Sequence, residues 1–172
     1  MKKKSNSLVI IVVAVIVAVL AFALPKLMSQ NEEAVSAEAG EKDVQNLSES
    51  EDLVIPLDKV TNNVTFYAVD VDGTEMEVMA VRDSSGNIRT AFNTCQVCYS
   101  SGRGYYQQEG NDLVCQNCGN SFTTDQVGLE SGGCNPVPIM DNDGKIDDTS
   151  ITISYDFLKN YKEIFAQWKT GF

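Results

Sequence analysis

The sequence predicts a small, mostly β domain that ends in a C-terminal helix and follows a single N-terminal transmembrane helix. Three observations predict it. Leu8 to Leu24 is an unbroken apolar run behind Lys2-Lys3-Lys4. From Leu53 onward, short alternating apolar segments are separated by turn residues at close spacing. Near the end, Tyr155, Leu158, Tyr161, Phe165 and Trp168 recur at helical spacing with lysines between them.

The apolar run holds 17 residues. As a helix it would span roughly 26 Å, close to the ~30 Å hydrocarbon core of a bilayer. Ala21-Phe22-Ala23 offers a signal peptidase a small-residue site, so cleavage is the alternative. A secretory signal, however, usually has an apolar region of only about 7–15 residues. Residues 1–28 are therefore expected to be an uncleaved anchor, and no cysteine follows the run to carry a lipid. Its lysines would hold the N-terminus in the cytoplasm and place the rest outside, giving a single-pass protein of the cell membrane with an extracytoplasmic domain.

Residues 29–52 read as a linker. Between Asn31 and Asp52 lie eight acids, one lysine and no aromatic residue, too little apolar surface to drive folding. A flexible chain of this length reaches roughly 27 Å, enough for a domain to search near the membrane. Once Lys2, Lys3, Lys4 and Lys26 are set aside, 9 basic and 24 acidic residues remain, a net charge of −15. So acidic a body repels nucleic acid and anionic headgroups and favours cations or basic proteins as partners.

The extracytoplasmic domain is expected over residues 53–172. Leu53-Val54-Ile55 reads as a strand stopped by Pro56. Val64 to Val69 alternates and meets a turn at Asp72-Gly73; Met76 to Val81 alternates again and ends at Ser84-Ser85-Gly86-Asn87. Ile88 to Phe92 returns as a strand that leads to Cys95. Gly104-Tyr105-Tyr106, a turn at Gly110-Asn111, and Leu113-Val114 form a hairpin that leads to Cys115. Pro136-Val137-Pro138 cannot be a central strand, and Ile151 to Ile153 is the last one. Strands this short and evenly spaced indicate a small sheet or barrel. The closing aromatic stripe reads as core.

The chain has five cysteines and no histidine. Four of them form Cys95-Gln-Val-Cys98 and Cys115-Gln-Asn-Cys118, with sixteen residues between the two steps. A Cys-x-x-Cys turn lets two sulfurs face one point while backbone amides hydrogen-bond to them. Two such turns can clamp one metal centre. Gly119 is expected to clear space where backbone approaches that centre. The fifth thiol, Cys134, lies in Gly132-Gly133-Cys134-Asn135-Pro136. The spacing admits structural disulfides, a zinc ribbon, or an iron–sulfur cluster held by four thiolates. Cys134 is an additional ligand, a redox thiol, or a buried structural one.

The strand–turn–strand Arg82 to Cys95 resembles the entry to the first ligand loop of Rieske proteins, and Gly104-Tyr105-Tyr106 through Phe122 resembles their second loop. Where that family has Cys-x-x-His-Gly, this chain has Cys115-x-x-Cys118-Gly119, and the first loop's Cys-x-His is Cys95-x-x-Cys98, one residue longer. With both histidines absent, a true Rieske cluster is ruled out. The same blocks, together with Gly132-Gly133-Cys134-Asn135-Pro136-Val137-Pro138, resemble the membrane iron–sulfur FtrD-like family of bacterial iron-uptake systems over about residues 53–168. Larger members of that family carry several membrane helices; this chain has one apolar run. The resemblance implies a Rieske-like β-barrel or sandwich with two metal-binding loops. It also implies electron transfer alongside an iron permease and an extracytoplasmic iron-binding protein. Four thiolates in place of two imidazoles would lower the potential toward roughly −400 mV. Such a centre is vulnerable to oxygen outside the cell, which leaves zinc or copper as alternatives.

Two further functions remain open: a zinc-stabilised scaffold in a permease complex, or a thiol–disulfide redox protein that uses one Cys-x-x-Cys with Cys134. Tyr105-Tyr106 either shields a metal or packs on a sheet. Asp141-Asn142-Asp143-Gly144 has a calcium-loop flavour but lacks the terminal Glu and the preceding helix, so a solvated turn is expected. No phosphate loop and no nucleophile–base pair is present. An electron-transfer component is expected rather than a stand-alone enzyme.

Overall fold

Period-two alternation in the three longest strands builds the architecture. A computed structural model describes residues 41–44, 50–139 and 143–171. The apolar run Leu8–Leu24, most of the acidic stretch, and Asp141-Asn142 lie outside the described residues. Among the described residues no helix is long and apolar enough to cross a membrane.

The chain is mostly β. Its strands are β1 Glu41–Val44, β2 Leu53–Pro56, β3 Thr65–Val71, β4 Thr74–Arg82, β5 Ile88–Cys95, β6 Tyr106–Glu109, β7 Asp112–Cys115, β8 Ser121–Thr123, β9 Pro136–Pro138, β10 Gly144–Ile146 and β11 Ser150–Ile153. They form a five-stranded sheet ordered β1-β3-β4-β5-β9 and two three-stranded sheets, β10-β11-β2 and β6-β7-β8. A short helix, α1, covers Tyr155–Asn160.

The large sheet is buried on both faces. Tyr67, Val69, Val71, Met76, Val78, Ala80 and Phe92 share one core with Leu53, Ile55, Ile151 and Ile153 of β2 and β11, and with Leu158, Phe165 and Trp168. The alternate positions Phe66, Met79, Val81, Ala91 and Cys95 share a second core with Tyr106, Leu113, Cys115 and Phe122 of the β6-β7-β8 sheet. This alternation decides where the sulfur goes. Cys95 lies two residues beyond Asn93 and four beyond Ala91, so it faces the sheet that carries Cys115.

The expected turns close the hairpins. Asp72 and Gly73 both take positive φ, 50° and 78°, between β3 and β4. A two-residue turn of that kind matches the right-handed twist of its strands, and Asp tolerates the conformation. Between β4 and β5, the Asp83 carboxylate accepts from the amides of Ser85 and Asn87, the Asn87 side chain and Arg89 Nε, and so organises the loop.

Two differences from expectation have physical reasons. The closing stripe is not one helix. α1 ends at Asn160, Tyr161 breaks helical geometry with φ −106° and ψ 5°, and a 3-10 turn follows over Lys162–Phe165. Its residues Tyr155, Leu158, Phe165 and Trp168 pack into the core as expected, and Tyr161 and Phe165, joined by Phe157 from outside the stripe, surround Phe92 with ring centroids 4.9, 5.7 and 5.8 Å away. Packing these rings around one side chain outweighs helical continuity. Pro136-Val137-Pro138 is, as expected, not a central strand: it pairs at the sheet edge on β5, where a missing amide is tolerated. Within the acidic stretch, β1 pairs parallel with β3 from Glu41↔Thr65 to Val44↔Ala68. Edge pairing needs only backbone groups, which a composition argument does not count.

Candidate metal centre

Three loops meet where β5 and β7 end. β5 delivers Cys95, and the chain turns through Cys98 into a 3-10 turn at Tyr99–Ser101. β7 delivers Cys115 and turns through Cys118. The third loop carries Cys134 just before β9. Backbone bonds join the first two: Cys95 N–H donates to the Gly104 carbonyl at 2.7 Å, and Gln116 N–H donates to that of Tyr105 at 2.8 Å.

All five thiols are free. The sulfurs of Cys95, Cys98 and Cys115 lie within 4.8 Å of one another, and so do those of Cys98, Cys118 and Cys134. The first three side chains are buried, Cys118 is exposed and Cys134 is half-buried. The structure thus brings together every cysteine singled out in the sequence, including the fifth.

Gly104, rather than Gly119, provides the close approach. A Cβ on Gly104 would lie 2.3 Å from the Cys98 carbonyl oxygen, so no side chain fits there. A Cβ on Gly119 would meet nothing within 4 Å; that position instead has φ +73°, a left-handed conformation that favours glycine. Gly119 N–H closes its turn on the Cys115 carbonyl at 2.9 Å.

Gln96, Asn120 and Tyr106 hold the third loop in place. The Gln96 side chain donates to the Pro136 carbonyl at 2.9 Å and accepts from Gly132 N–H at 2.9 Å. The Tyr106 hydroxyl donates to the Cys134 carbonyl at 2.6 Å, and Asn120 donates to the same carbonyl at 3.3 Å. Gln96 and Asn120 left no signal in the sequence, being unremarkable positions within and beside the cysteine steps. Of the tyrosine pair, Tyr106 meets the sulfurs. Tyr105 packs edge-on against Trp168, 6.3 Å between centroids.

Hydrogen bonds prepare some sulfurs for negative charge. Burial opposes charge on Cys95, but the Tyr106 hydroxyl and the amides of Val97 and Cys98 outweigh it and lower that thiol. The Asn120 amide lowers Cys118. Burial raises Cys98 and pushes Cys115 up to about 12. Cys134, hydrogen-bonded to the Cys118 sulfur, is also pushed up to about 12. Five sulfurs this close cannot all ionise without a cation among them. Neither triad contains a carboxylate. A donor set of thiols alone fits iron–sulfur, zinc or copper and not the hard cations calcium and magnesium.

A family model described as "Membrane iron-sulfur containing protein FtrD-like" matches residues 60–165, more than half of the chain and all five cysteines. No curated protein and no solved structure matches.

Proposed function

The chain belongs to the FtrD-like family of membrane iron-sulfur containing proteins, and on that premise we propose that its cysteine domain transfers electrons in extracytoplasmic iron acquisition. The observation that carries this proposal is the convergence of free thiols from separate loops on one point. Cys95, Cys98, Cys115 and Cys118 are the proposed ligands of an iron–sulfur centre, in a frame that we read as Rieske-like. A bound cluster would supply a one-electron change.

The chain's own residues do the rest. The thiolates bind, and amides and the Tyr106 hydroxyl stabilise their charge. Cys95 and Cys115, 0% and 1% exposed, keep water from the inner side. Cys118 is exposed, with Val97 and Tyr99 of the first loop also facing solvent, which offers an edge for electron entry or exit. Residues 1–28 would anchor the domain at the outer face of the cell membrane and residues 29–52 would tether it there. An iron permease and an extracytoplasmic iron-binding protein are its proposed neighbours.

The test is a redox titration of the full-length chain, purified in detergent without oxygen, paired with iron uptake in cells whose only copy carries Cys115→Ser. The expected results are a reversible one-electron wave toward roughly −400 mV and impaired uptake. A redox-silent chain that supports normal uptake without Cys115 would sink the proposal. Amide bonds to sulfur suit a structural zinc equally well, so a redox-silent centre points to the zinc-stabilised scaffold.

A further inference from the structure

The sulfurs do not group as four plus one. They group in threes, Cys95/Cys98/Cys115 and Cys98/Cys118/Cys134, and Cys98 belongs to both. Two thiolates on one tetrahedral ion, each at about 2.3 Å, lie roughly 3.8 Å apart. Each triad, within 4.8 Å, therefore needs only small adjustments to close on an ion.

The triads differ in setting. The inner one is buried throughout, with Cys95 at 0%, Cys98 at 5% and Cys115 at 1% exposure. The outer one reaches solvent through Cys118 and Cys134. Cys134 is also not a stray thiol on a loose loop. Tyr106 and Asn120 fix its carbonyl, and Gln96, inside the first cysteine step, fixes the loop on either side of it.

We propose that the centre has two metal positions, an inner one held by Cys95, Cys98 and Cys115 and an outer one held by Cys98, Cys118 and Cys134, with the Cys98 sulfur common to both. This deepens the metal-centre proposal above by naming how its ligands divide. It makes Cys134 a ligand, and it makes the outer position the one that exchanges with solvent.

The test loads the metal-free, reduced full-length chain with cadmium(II) alone and follows the sulfur-to-metal charge-transfer band in the ultraviolet. Two equivalents per chain are expected for the native sequence and one for Cys134→Ser. In parallel, the cadmium-loaded native chain is treated with iodoacetamide and Cys134 is read by mass spectrometry, which requires no variant to fold. Protection of Cys134 at two equivalents supports the assignment. Saturation at one equivalent, or alkylation of Cys134 at the metal-free rate, overturns it. So does an unchanged stoichiometry in Cys134→Ser. Cadmium loading needs neither iron nor sulfide, so a native protein without iron would sink the iron–sulfur proposal and leave this one standing.

Discussion

The hydroxyl of Tyr106 donates to the carbonyl of Cys134 at 2.6 Å, and this bond ties the third loop to the strand that pairs with Cys115. Tyr106 is 1% exposed, and the same hydroxyl reaches the Cys95 sulfur. One side chain therefore touches the first and third loops from its place beside the second. Tyr106→Phe removes the donor and keeps the ring. Urea denaturation should show a loss of about 1 kcal/mol. Alkylation of Cys134 in the metal-free chain should accelerate several-fold, and an unchanged rate would mean that the hydroxyl does not hold the loop.

Gly104→Ala and Gly119→Ala should fail differently. At Gly104 the new Cβ runs into the Cys98 carbonyl, so the first cysteine loop must move. The expected cost is about 2–3 kcal/mol, together with weakened metal retention. At Gly119 there is space, and the cost is backbone strain of about 1–2 kcal/mol. Asn at position 119 should recover much of it, whereas Asn at 104 should be worse than Ala. Thermal unfolding of the four variants checks the contrast, and equal behaviour at the two sites would contradict it.

Much of this was legible in advance. Alternation placed the long strands, Asp72-Gly73 marked the turn between two of them and Gly110-Asn111 that of the short β6-β7 hairpin, because both signals are local. The two cysteine steps were legible for the same reason. What escaped depended on contacts that no local pattern encodes. Gly104 is needed because the cysteine turn folds Cys98's carbonyl back onto it, and Gln96 matters because of Gly132 and Pro136, far along the chain. The helical stripe ended its cylinder early because Phe92, some seventy positions away, gathers its rings. Cys134 lay between these cases: its block looked distinctive, but only the fold placed its sulfur beside Cys98 and Cys118.

A buried ion pair supports the site from behind. Lys169 Nζ lies 3.0 Å from Glu77, which is 2% exposed. Asn93 donates to Glu77 at 2.8 Å and accepts from Tyr106 N–H at 2.8 Å. Lys169→Met should cost about 2–3 kcal/mol, at the low end for a buried pair because Lys169 itself is partly exposed. Adding Glu77→Gln should restore part of the loss, since the buried carboxylate that lost its lysine is then neutral. Denaturant titrations of the single and double variants test this, and a double variant less stable than Lys169→Met would contradict it.

Acid should weaken the fold through the loop carboxylates. The Asn87 side chain holds Asp83 below its ordinary range, and the Tyr155 hydroxyl does the same for Asp72. A carboxylate lowered in the folded state stabilises above its unfolded value of about 3.9, and that contribution disappears as pH falls through the folded value. Stability of the metal-free chain should therefore be flat between about pH 7 and pH 5 and decline below about pH 4. In Asp83→Asn the decline should be shallower. Stability that rises on acidification through this range would contradict the assignment.

The most direct test is elemental: iron, acid-labile sulfide, zinc and copper per chain, measured on the full-length protein purified without oxygen and compared with its visible spectrum. Iron with equimolar sulfide and thiolate-to-iron absorption, both lost in Cys95→Ser and Cys115→Ser, is the expected result. Zinc or copper in the absence of sulfide would contradict an iron–sulfur centre.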